Sequence, residues 1–223
     1  MHVVFDEVPE RILGVAKGVL AQANMHAVFA DPGNEHWDFI CIANAAHAGE
    51  LFIKAIVAQQ HPLLIFRDPF GLDAGADEMT IEDLIARGRT HDFEKLPKVL
   101  WAATGERIAD LELFHRVRAA RNSVQHFCAL PHEDYRALSL EFIYKIIDPL
   151  IFKFFGLFAI DYHEDHNIGY DYIVGSLIRR ELRFSVPADF SVGEIDLVDE
   201  LSLTSTAYQE WWRSALSTLE SHS

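Results

Sequence analysis

Residues 111–127 read LELFHRVRAARNSVQHF, and their pattern predicts an amphipathic helix around which the chain is organised. With successive side chains about 100° apart, apolar residues recur on one side of this helix and form a stripe that faces a core. The stripe consists of Leu113, Val117, Ala120, Val124 and Phe127. This pattern favours a mainly α-helical protein in which the helix packs against others.

The opposite side of the same helix carries a polar row. Its members are His115, Arg118, Asn122 and His126. Cationic and amide side chains in one row are suited to binding an anion. Arg121 lies at the border of the apolar stripe, about 140° round the helix from His126. We therefore expect Arg121 and His126 to flank a groove rather than to form one line.

The remaining sequence divides into a helical part and a different C-terminal part. Helices are predicted over residues 9–29, 35–60, 80–87, 91–103, 106–128 and 133–155. Thr90 is the predicted cap of the fourth helix, although Pro97 favours a start near Leu96 or a bend there. In the tail, LIRRELRFSVP and GEIDLVDELSLTS alternate as paired strands do, and a last helix begins near Thr206. The prediction is a helical domain over residues 1–158, followed by a β-hairpin and a terminal helix over residues 159–223.

Composition predicts a cytoplasmic protein with one sizeable core. Half of the 223 residues are hydrophobic, and no basic, apolar leader is seen at the start. No apolar run reaches the ~18 residues that a membrane span needs, so no membrane partner is expected. Cys41 and Cys128 alone do not form a disulfide framework, which fits a reducing compartment.

Charge is distributed unevenly along an acidic chain. The formal net charge of −15 argues against a protein that coats nucleic acid without specificity. Residues 87–121, however, hold eight basic and five acidic residues, a net charge of +3 in a segment that enters the amphipathic helix. This segment is either an ordinary salt-bridged helix surface or a local site for an anion.

The string RNSVQH at residues 121–126 resembles the signature of HEPN domains, in which an Arg and a polar residue precede a His. The preceding NAAHAGELFIKAIVAQQ and THDFEKLPKVLWAATG resemble the helices that come before that motif, so the resemblance spans residues 34–155. It implies an antiparallel bundle of five to six helices and a metal-independent endoribonuclease. It also implies a homodimer, a toxin or antiviral setting, and an antitoxin or activator protein as partner.

The chemistry of RNA cleavage explains the residue types in this motif. His126 suits acid–base work near neutral pH, Arg121 presents a charged fork to phosphate, and Asn122 donates to phosphate or orients the imidazole. No cofactor or metal is required. The resemblance implies that two copies of the helix share one cleft, with His115 and Arg118 as contacts for the RNA backbone. It also implies that Glu50 orients Arg118 or Arg121, whereas the simpler interpretation is a surface ion pair between Glu50 and Lys54.

The sequence is also compatible with two other functions. A non-catalytic helical module would bind a nucleotide, RNA or a protein through the same face. A scaffold dimer would form through Trp211 and Trp212, which either pack on the body of the chain or on a partner. A cluster of possible metal ligands is interpreted as a solvated turn rather than a metal site. That cluster comprises Asp161, His163, Glu164, Asp165 and His166.

Overall fold

The chain is mainly α-helical, as the periodicity predicts. The computed structural model describes residues 3–29, 37–71, 80–126, 133–163, 169–193 and 195–220. The helices are α1 (Val3–Val28), α2 (Trp37–Gln60), α3 (Ile81–Arg87), α4 (Leu96–Thr104), α5 (Leu111–His126), α6 (Tyr135–Phe142), α7 (Asp148–Phe155), α8 (Asp171–Ile178), α9 (Leu197–Ser202) and α10 (Thr206–Glu220). The polar row and the RNSVQH motif lie on α5.

The residues group into two compact units. The first comprises Met1–Lys17 and His47–Ile108, and the second comprises Gly18–Ala46 and Ala109–Ser223. Helices α1 and α2 contribute residues to both units. The predicted boundary at residue 158 concerns independent domains, and it stays a prediction.

In the first unit, local capping chemistry sets where α3 and α4 begin. Thr80 and Asp83 form a reciprocal capping box at the start of α3, as predicted. Of the two alternatives for the fourth helix, a bend at Pro97 or a start near Leu96, the second is confirmed: α4 begins at Leu96, which places Pro97 in its first turn. Thr90 is not its cap; it forms an isolated antiparallel bridge with Phe66.

In the second unit, α5 buries the predicted apolar stripe. Leu113, Val117 and Ala120 are 3%, 0% and 1% exposed, and Val124 is half-buried. Phe127 and Cys128 lie outside the described residues. The helix begins at Leu111 rather than at residue 106, because the Asp110 carboxylate accepts from the Leu113 amide at 2.9 Å and caps the first turn.

The apolar run predicted as one Pro-kinked helix contains a change of helix type. A π-helical turn over Ile143–Ile147 joins α6 to α7, and Pro149 follows in the first turn of α7. Proline lacks an amide hydrogen and cannot donate to the carbonyl one turn earlier. The wider π-helical turn before Pro149 accommodates this missing hydrogen bond. Gly156, with a φ of 65°, ends α7 in the left-handed region.

The predicted β-hairpin is wrong. Among the described residues after residue 158, no strand is present; the first predicted strand begins inside α8, and the second overlaps α9. Leu177 and Ile178 are buried together with Ile173 and Val174, which is helical spacing. Asp196 caps α9 by accepting from the amides of residues 198 and 199.

The structure tests the predicted start of α1, whereas residues 35 and 36, at the predicted start of α2, lie outside the described residues. Helix α2 matches the expectation over its described length, whereas α1 begins at Val3 and takes Pro9 inside the helix instead of starting there. By length and composition alone, α2 is also apolar enough to cross a membrane. However, 67% of its most apolar window is buried within the protein.

Candidate functional site

The polar row of α5 faces solvent. His115, Asn122 and His126 are exposed and Arg118 is half-buried, on the side opposite the buried stripe. An exposed polar face is available to a ligand without displacing any core side chain. The burial pattern therefore agrees with the predicted amphipathic helix.

Arg121 and Asn122 are joined by a hydrogen bond. The half-buried Arg121 donates from Nη1 to the Asn122 side-chain oxygen at 3.3 Å. This contact orients the guanidinium, and because it uses the oxygen of the amide, the amide nitrogen of Asn122 is the group left to donate to a phosphate. The position of Arg121 at the edge of the apolar stripe is as predicted.

Spacing along α5 separates the two imidazoles of one chain. His115 precedes His126 by eleven positions, which corresponds to about 16 Å along the helix axis. Two groups that act on one phosphodiester must both come within hydrogen-bond reach of it. A single α5 therefore supplies only one imidazole to any one phosphate.

Arg116, another cationic residue of α5, forms ion pairs with acidic neighbours. Its guanidinium lies 3.2 Å from the Glu133 carboxylate and 3.9 Å from that of Glu141. Phe114 packs on Phe142 of α6 with ring centroids 6.0 Å apart. Arg116 and Phe114 thus take part in the packing of α5 on its neighbour, and the Phe114 ring also contacts the imidazole of His115, with centroids 6.1 Å apart.

Glu50 belongs to the first unit, where it pairs with Lys54. The two charged groups are 2.5 Å apart, and the Lys54 ammonium also donates to the Thr90 hydroxyl at 2.9 Å. The predicted pairing in α2 is therefore confirmed. Its interpretation as a surface pair is wrong, because the side chains are only 17% and 9% exposed. The predicted contact of Glu50 with Arg118 or Arg121 stays a prediction.

A cavity in the first unit was missed by the sequence reasoning. It has a volume of about 360 Å³, and Lys54, Thr90 and Arg11 contribute its polar wall. These residues come from three separated segments, so no local pattern brings them together. The only signal in the sequence was a charged pair, Glu50 and Lys54, within an apolar helix.

Buried carboxylates in the second unit were also missed. Asp148, 1% exposed, accepts from the amides of Ala159 at 2.8 Å and Ser185 at 2.6 Å. Burial raises the pKa of this carboxyl to about 6. Asp171, 6% exposed, accepts from two further amides, those of Gly193 and Ile195. Both carboxylates bind main chain, which indicates a structural role.

Two further sequence predictions concern the C-terminal part. Asp161 accepts from the Tyr170 hydroxyl at 2.8 Å, whereas Glu164, Asp165 and His166 of the acidic cluster lie outside the described residues. Trp212 is 4% exposed and packs on Phe184 and Phe190 with centroid distances of 5.9 and 6.2 Å. The tryptophan pair thus packs, through Trp212, on the body of its own chain.

The chain was also compared with known proteins. No family model, no curated protein and no solved structure matches it. The resemblance to HEPN domains therefore depends on the residues quoted above, and the roles that it implies for Arg121, Asn122 and His126 are a proposal.

Proposed function

We propose that this protein is a metal-independent endoribonuclease with a HEPN-like helical bundle, and that it acts as a homodimer. The observation that carries the proposal is the exposed face of α5, where His115, Asn122 and His126 face solvent opposite a buried stripe. This face lies at the end of the segment with a net charge of +3 in an otherwise acidic chain. The local positive charge favours binding of one phosphodiester, whereas the acidic remainder of the chain disfavours non-specific binding of polyanions.

The proposed reaction needs a general base, a general acid and groups that stabilise the negative charge of the transition state. One imidazole takes the proton of the ribose 2′-hydroxyl, whose oxygen attacks phosphorus. A second imidazole protonates the departing 5′-oxygen, and the products are a 2′,3′-cyclic phosphate and a 5′-hydroxyl. Arg121 and the amide nitrogen of Asn122 stabilise the charge on the phosphorane.

The resemblance to HEPN domains implies two chains, and the spacing of the histidines along α5 supports this part of the proposal. Because His115 and His126 of one helix are about 16 Å apart, they do not serve one phosphate together. A two-fold axis that brings two copies of α5 face to face supplies one His126 from each chain to one cleft. His115 and Arg118 would then contact the RNA backbone away from the reacting bond.

The biological setting belongs to the same proposal. A ribonuclease with its site on an exposed helix is readily silenced by a protein that covers that helix. A toxin or antiviral effector in the cytoplasm, with an antitoxin or activator as partner, fits this arrangement. Such a partner would be recognised by its effect on α5: it protects His126 from solvent when bound.

The experiment is cleavage of labelled single-stranded RNA and tRNA in EDTA. The wild-type chain is compared with His126→Ala and Arg121→Ala, and with Gln125→Ala as a control for an exposed neighbour on the same helix. We expect cleavage with 2′,3′-cyclic phosphate ends, a loss of about 100-fold or more in the first two variants, and no change in the control. Equal cleavage by all four proteins would contradict the assignment of the site.

A second candidate function uses the same face without chemistry. The exposed row would serve a non-catalytic module that binds RNA, since Arg118, Asn122 and His115 all donate to phosphate. Salt-dependent RNA binding by the wild type, with no cleavage and with binding retained by His126→Ala, would overturn the enzyme and support this module.

A further inference from the structure

We propose that the first unit holds a separate binding site for an organic carboxylate with an apolar body, such as a medium-chain fatty acid. The site is the cavity of about 360 Å³ that includes Lys54 and Thr90 in its wall. This inference is independent of α5 and of the ribonuclease proposal.

The size and lining of the cavity favour a small, mostly apolar ligand. Its volume falls in the range of about 300–1,000 Å³ that is typical of sites for small molecules. Most of its wall is aliphatic or aromatic, which favours burial of a hydrocarbon body. The apolar wall includes Val8, Ile12, Val15, Leu51, Phe66 and Ile85.

The polar part of the wall selects a carboxylate. Arg11, Lys54 and Thr90 all contribute hydrogen-bond donors, and among the described residues no acidic side chain lines the cavity. Lys54 is the anchor, because its side chain is only 9% exposed and is held in place by Glu50 and Thr90. An ammonium has three N–H bonds; among the described residues Glu50 and Thr90 accept two of them, and the third is the one proposed to donate to a ligand oxygen.

Arg11 provides the second charge at the solvent side of the cavity. Its guanidinium pairs with Glu7 at 2.7 Å, but both side chains are largely exposed, at 69% and 59%. An exposed ion pair of this kind contributes little free energy, so Arg11 can leave Glu7 and pair with a ligand carboxylate at small cost. The buried Glu50 offsets the charge of Lys54, so Arg11 supplies the net positive charge that distinguishes a carboxylate from an uncharged ligand.

The test is a calorimetric titration of the full chain with octanoate, beside octan-1-ol as the uncharged ligand of the same length. Val15→Trp places an indole at the cavity and is tolerated because Val15 is 56% exposed. Arg11→Gln removes the positive charge at the solvent side of the cavity. Arg87→Gln is its matched control, since Arg87 is also exposed and is paired with an acidic residue four positions earlier. Glu50→Gln removes the anion that competes for Lys54.

We expect one octanoate per chain and weaker binding of octan-1-ol. Val15→Trp and Arg11→Gln should each weaken octanoate binding, the first by about tenfold or more, which is about 1.4 kcal/mol. Glu50→Gln should strengthen it, and Arg87→Gln should leave it unchanged. No saturable binding, equal affinity for octan-1-ol, or unchanged affinity in Val15→Trp would each overturn the proposal.

Discussion

Two regions of the second unit carry polar side chains in opposite ways. On α5, His115, Asn122 and His126 face solvent on one side of a helix whose other side is buried. Near the C-terminal helices, Asp148 and Asp171 are buried and accept hydrogen bonds from main-chain amides. The first region presents polar groups outward, and the second uses them to complete the interior.

The difference separates groups available to a ligand from groups committed to the fold. A buried carboxylate that accepts two amide bonds satisfies donors that would otherwise be orphaned, so its removal costs stability. An exposed polar side chain contributes little to stability and is available for binding or chemistry. Each region is thus expected to respond to substitution in one kind of assay and not in the other.

The largest effect on stability is expected from Asp148→Ala. It leaves the amides of Ala159 and Ser185 without their acceptor, which should lower the free energy of unfolding by about 3 kcal/mol. Urea denaturation followed by circular dichroism measures this change. Asp189→Ala, at an exposed position, is the control; an equal and small loss in both variants would remove the distinction between the regions.

A pH titration should show the next largest effect. Burial raises the pKa of Asp148 from 3.8 to about 6, so between these pH values the folded chain holds more protons than the unfolded chain. The free energy of unfolding should therefore fall as pH rises through this window, by about 2–3 kcal/mol, and change no further from this group above it. Asp148→Asn does not titrate and should lack this slope in urea melts at pH 4, 5, 6 and 7. A wild-type curve parallel to that of the variant would contradict the assignment.

Asp171→Ala should have a smaller effect of the same kind. The amides held by Asp171 belong to the exposed Gly193 and the half-buried Ile195, whereas Asp148 holds the amide of the buried Ala159, so water replaces more of the bonding lost with Asp171. A loss of about 1–2 kcal/mol is expected, with increased hydrogen exchange confined to residues near 193–195. Exchange that rises uniformly over the unit would show instead that Asp171 supports the whole core.

The smallest effect on stability is expected on α5. Asn122→Ala and His126→Ala remove exposed side chains and should change the free energy of unfolding by no more than about 0.5 kcal/mol. Thermal melts of both variants beside the wild type test this. A loss comparable to that of Asp171→Ala would assign these residues to the fold and would weaken the proposal of a functional face.

Sequence patterns were sufficient to predict those features of the helices that depend on nearby residues alone. The apolar stripe of α5 and the capping box of α3 are local patterns, and both were predicted. The predicted start of α1 at Pro9 is wrong, because the helix continues on both sides of this proline. The identity of the exposed row on α5 also followed from spacing alone.

The rest depended on contacts between distant segments. Alternation around Leu182 and Phe184 predicted a strand, but the amides of this irregular stretch have other partners: Leu182 donates to the carbonyl of Leu177, and Ser185 donates to the carboxylate of Asp148, which is distant in sequence. The cavity of the first unit combines residues of α1 and α2 with the bridge at Phe66 and Thr90. No single stretch of sequence carries either arrangement.

The central claim is that the exposed face of α5 works only when two chains share one cleft. It is tested most directly by the rate of RNA cleavage when wild-type and His126→Ala chains are mixed, after subunit exchange, at constant total concentration. If one site needs His126 from both chains, the rate follows the square of the wild-type fraction and falls to about a quarter at equal mixing. A rate that falls linearly, to about half, would show that each chain holds its own complete site and would contradict the account.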